Sequence, residues 1–145
     1  MSHATSQMRN FAERLIAYET HGNETAELRT PSVFHVFEKL RPHLATLMGV
    51  AGFRALLSRS LALAQEEVRW LRAVHVKSDG AFEGLEELYA QVESDEFIEG
   101  EVVLLAQLLG LLVAFNGEEL MLQMVGDVWP ELLLKDLDFN KGHSR

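Results

Sequence analysis

Val102-Val103-Leu104-Leu105-Ala106-Gln107-Leu108-Leu109-Gly110-Leu111-Leu112-Val113-Ala114-Phe115 is a run of fourteen residues with a single polar member, Gln107. A helix that is apolar on every side must be buried on every side, so the rest of the chain is expected to wrap it. A membrane span needs about 20 apolar residues. The flanks here are Glu99, Glu101, Glu118 and Glu119, with no basic or tryptophan anchor beside the run. The run therefore reads as the core helix of a bundle, and no membrane partner is expected. Ala106, Gly110 and Ala114 lie four apart on one face of it. Small residues there let a second backbone approach closely, as an intrachain crossing or as a homodimer face. Ala51, Ala55 and Ala62, earlier in the chain, offer a matching surface.

Outward from the run, the helical pattern covers residues 95–128. Ser94 or Asp95 can cap it, and Glu96, Glu99 and Glu101 sit in its early turns near the positive helix end. Pro130 lies just beyond its far end. Whether Asn116-Gly117 divides it into two helices is open at this level. Upstream, Phe82 to Val92 predicts a short acidic helix that buries Phe82, Leu85, Leu88 and Tyr89. Val74-His75-Val76, followed by Lys77-Ser78-Asp79-Gly80, predicts a short extended piece and a turn.

Farther back, Met8, Phe11, Leu15 and Tyr18 recur three or four apart and predict an amphipathic helix that ends near Gly22. Thr30-Pro31 reads as a cap with proline in the first turn. Pro42 is expected to end or kink the helix that follows, because it lacks an N–H and crowds the preceding turn. The pattern resumes at Leu44 and runs to about Leu71, with a jog at Gly49 or Gly52. The expected fold class is all-α: a single-domain bundle of five or six helices over residues 1–145, with 1–6 and 136–145 as tails.

A chain of 145 residues can bury roughly 68–70% of its unfolded surface in one core. There is no cysteine, which removes disulfides, thiol catalysis and thiolate metal sites. The first residues have neither the basic nor the apolar region of a secretion signal, so a cytoplasmic location is expected. Asn23-Glu24-Thr25 matches a glycosylation sequon and reads as chance in that setting.

Charge is distributed unevenly. Residues 1–77 hold ten Lys/Arg against seven Asp/Glu, whereas residues 78–145 hold three against fifteen, within a total of −9. The acidic half should repel phosphate and attract a basic surface. Nucleic acid is therefore not an expected partner, and the basic half carries no aromatic-interleaved patch.

Motifs for chemistry are incomplete. None of His3, His21, His35, His43, His75 and His143 belongs to a Glu-x-x-His pair or a His-Glu-x-x-His helix. Asp136-Leu137-Asp138-Phe139-Asn140 begins like a calcium loop, but Lys141 stands where the sharp turn needs glycine. No phosphate loop, dinucleotide fingerprint or serine elbow is present. Arg54, Ser58 and Arg59 are a candidate anion contact from helical spacing alone. No cofactor, metal or catalytic residue is assigned.

These observations favour a non-enzymatic regulatory module that docks a basic protein surface. Glu83, Glu86 and Glu87 are the expected docking carboxylates, with Trp129 as the apolar anchor. The alternative is a sensor domain that holds a small apolar molecule among Phe34, Phe37, Met48, Met121 and Met124, since flexible methionines suit adaptable pockets.

Overall fold

A computed structural model describes residues 6–22, 32–77 and 82–130, with the side chains of residues 20–22, 32–34, 86 and 94, Phe34 and Glu86 among them, outside that description. The sequon, the Thr30-Pro31 cap, the calcium-like segment and the expected tails, apart from Ser6, also lie outside the described residues. Within them the protein is all-α, with five α-helices and one small hairpin.

Helix α1 (Ser6–Gly22) turns Met8, Phe11, Ala12, Leu15, Ile16 and Glu19 inward. Helix α2 (Ser32–Glu67) runs straight through Pro42. Proline forgoes the bond to the carbonyl of Glu38, but Leu40 and Leu44 on either side of it are fully buried and hold the segment in the bundle. The interruption falls at Gly49, one of the two glycines where a jog was expected, with φ 82° and ψ 163°, a conformation that a side chain disfavours.

A 3-10 turn (Arg69–Ala73) leads to strand β1 (His75–Val76), which pairs antiparallel with β2 (Phe82–Glu83). His75 stands opposite Glu83 and Val76 opposite Phe82. The extended reading of this segment holds. Phe82 belongs to β2 rather than to the acidic helix, because its buried ring meets the Phe37 ring at 5.1 Å and fastens the hairpin to α2. Helix α3 is consequently shorter than expected (Leu85–Gln91).

Helix α4 (Ser94–Asn116) carries the apolar run and packs against α1, α2, α3 and α5. Every residue from Glu101 to Leu112 is buried. Each fully buried leucine contributes roughly 1.5–3 kcal/mol. By length and apolar content, two helical stretches could cross a membrane, His35–Glu67 and Asp95–Asn116; 78% of the apolar window of the second is buried inside the protein. The expected 95–128 helix is two helices. Gly117 adopts φ 91° and ψ 154°, which ends α4 and starts α5 (Glu118–Val128).

Two polar links fix how the helices meet. Gln107, the one polar residue of the run, donates to Glu67 Oε2 at 3.2 Å, and the other Glu67 oxygen pairs with Arg9. That chain ties α4 to α2 and α1. The second link centres on Glu19, whose buried Oε2 accepts from Lys39 Nζ at 2.6 Å and from the Trp129 indole N–H at 2.8 Å. It joins α1, α2 and the residue after α5. A buried carboxylate is stable only with such donors.

Candidate functional site

Half of the exposed carboxylates among the described residues fall between β2 and the early turns of α4. Glu83 on β2, Glu87 on α3, Glu93 between the helices, and Asp95, Glu96 and Glu99 on α4 are all exposed. None forms an ion pair among the described residues, although the exposed Arg69, Arg72 and Lys77 lie on the neighbouring turn and strand. Two apolar side chains break the acidic surface: Ile98 is 49% exposed and Tyr89 39% exposed.

Beneath this surface lies a stack of rings. Buried Phe97 stacks on Trp70 with centroids 4.8 Å apart and planes 15° apart, and Tyr89 leans on Phe97 at 5.1 Å. The Trp70 indole N–H donates to the Glu96 carbonyl at 3.3 Å. Its six-membered ring lies against Gly100, where a Cβ would collide with it. Glycine is thus needed at position 100 for space. The stack joins α3, the start of α4 and the 3-10 turn.

Other expected site residues are placed differently. Trp129 is 1% exposed and bonded to Glu19, so it closes the core and is not available as a docking anchor. Its flanks Asp127 and Pro130 are exposed, as the local sequence suggests, but the contact that buries it comes from 110 residues away. Arg54, Ser58 and Arg59 all stand exposed on α2, while the serine turned inward is Ser60, which donates to the Leu56 carbonyl at 2.8 Å. Ala106 and Gly110 are buried within the bundle and Ala114 is exposed, so the three do not form one outer face. Ala51, Ala55 and Ala62 are exposed, so they are not the surface that meets the strip. Glu19 went unnoticed in the sequence, although it continues the buried stripe of Leu15 and Ile16 by one turn.

The opposite end of α4 carries a groove of about 230 Å³. His43 and Leu47 of α2 form one wall, and Met121, Met124 and Asp127 of α5 form the other, with Leu112 and Asn116 of α4 between them. Of the residues expected around an apolar ligand, Met121 and Met124 line this groove; Phe37 packs on Phe82 instead. Among the described residues no three His, Asp or Glu side chains gather closely enough to hold a metal ion. Comparison with known proteins adds no relative: no family model, curated protein or solved structure matches this chain.

Proposed function

We propose that the protein is a non-enzymatic, cytoplasmic interaction module whose acidic end docks a basic surface on a protein partner. One observation carries this reading: six exposed carboxylates without ion-pair partners among the described residues share the stretch 83–99 with exposed Tyr89 and Ile98. Solvated carboxylates raise encounter rate and select for charge, while affinity needs a desolvated apolar contact. Tyr89 and Ile98 take the anchoring role once expected of Trp129. Tyr89 already leans on the Phe97 ring, which lowers the cost of ordering it on binding.

The small-molecule alternative draws on Met121 and Met124. Their groove, at about 230 Å³, is below the roughly 300–1,000 Å³ of common ligand pockets, so the docking reading is preferred.

The test uses an amphipathic peptide of alternating lysine and leucine, with Trp70 fluorescence as the reporter. Binding should weaken steadily as salt rises, since screening shortens the reach of exposed charges. Replacing Glu83, Glu87 and Glu99 together by lysine should weaken it by about tenfold, taking roughly 0.5 kcal/mol for each exposed pair. Equal binding at low and high salt would contradict the reading.

A further inference from the structure

We infer that Asn116 is a site of spontaneous modification, where the backbone nitrogen of Gly117 attacks the side-chain amide and converts the residue to isoaspartate and aspartate. This site stands apart from the acidic end and does not depend on its function. Of the asparagines at 10, 23, 116 and 140, only Asn116 precedes a glycine. A side chain on the following residue would crowd the attacking nitrogen, and glycine has none. Gly117 is exposed, and even an added Cβ there would meet nothing within 4 Å. Its backbone freedom also lets the nitrogen turn toward the neighbouring side chain.

One hydrogen bond opposes the attack. The Gly117 N–H donates to the Val113 carbonyl at 2.9 Å, which occupies the nitrogen that must react. Helix ends open before their middles. Ala114, Phe115 and Asn116 are all exposed, Phe115 at 68%, so little packing holds this last turn shut. Asn10 is the internal contrast. It is exposed too, but it lies inside α1 and is followed by the buried ring of Phe11.

Once the turn opens, hydroxide removes the Gly117 amide proton and the nitrogen adds to Cγ of Asn116. The new N–C bond closes a succinimide ring, the Cγ–Nδ2 bond breaks, and ammonia leaves with a proton from water. A second water then opens the ring, and nothing is oxidised or reduced. Opening at Cγ gives aspartate; opening at the main-chain carbonyl gives isoaspartate, which lengthens the link between α4 and α5 by one carbon. Either product places a carboxylate at the negative end of α4, where it is unfavourable.

Ageing the folded full chain at mildly alkaline pH, followed by peptide mass mapping and isoaspartate-specific methyl labelling, tests the proposal. Asn116 should be converted several times faster than Asn10, and the aged chain should melt at a lower temperature. Asn116→Gln should abolish both changes, because closure of the larger ring is slow. Ile16→Val trims the core and enlarges the unfolded fraction; it should leave the rate at Asn116 unchanged, since the opening is local. An Asn116 that stays intact, or is converted no faster than Asn10, overturns the proposal. So does a rate that climbs in the Ile16→Val variant.

Discussion

The two ends of α4 are built from opposite materials on one helix. From Phe97 to Phe115 the axis runs ~27 Å at 1.5 Å per residue. At the first end, exposed carboxylates stand over a closed ring stack in which Trp70, Phe97 and the bare backbone of Gly100 leave no slack. At the second, Gly117 ends the helix, Phe115 is exposed, and a groove lined by Leu47, Leu112 and Met121 lies between α2 and α5. One end is charged over packed rings, and the other is apolar beside a groove. The buried middle of α4, pinned at Gln107, keeps the two apart.

The most damaging change to this contrast is Trp129→Ala. It removes a core indole and one donor from Glu19, and should cost about 3–5 kcal/mol, read as a large fall in melting temperature. Peptide binding at the acidic end should survive at temperatures where the variant is folded. Next comes Gly100→Val, which forces Trp70 off its seat at a cost of about 1–3 kcal/mol. Near-ultraviolet circular dichroism should show the loss of ring stacking, and the acidic end should bind the peptide less tightly. The smallest effect on stability belongs to the Glu83, Glu87 and Glu99 lysine triple. These side chains are exposed, so each change should alter stability by no more than about 0.5 kcal/mol, as measured by urea melts, while peptide binding falls.

Much of this contrast is hidden in the sequence, and the reasons are physical. The apolar run declared itself because no other environment accepts such a helix. Its division at Gly117 did not, since Asn-Gly can sit within a frayed helix or end one, and packing decides. Pro42 illustrates the converse. Its local rule predicts an end, but buried neighbours outweighed the loss of one hydrogen bond, and the bend moved seven residues on to Gly49. Trp129 misled because Asp127 and Glu131 stand two residues away on either side, while its indole meets Glu19 in the first helix. The acidic surface was legible in position and charge, but the partners of its support, Trp70 against Phe97 and Gly100, lie too far apart in sequence for periodicity to pair them.

The most direct test of the two-surface account is an amide chemical-shift map of the isotopically labelled protein, titrated with the lysine–leucine peptide at low and at high salt. The account predicts perturbations at Tyr89, Ile98 and Glu99 that fade as salt rises, with Leu47, Phe115 and Leu120 unmoved. Perturbations centred on the groove, or a response at the acidic end that ignores salt, would contradict it.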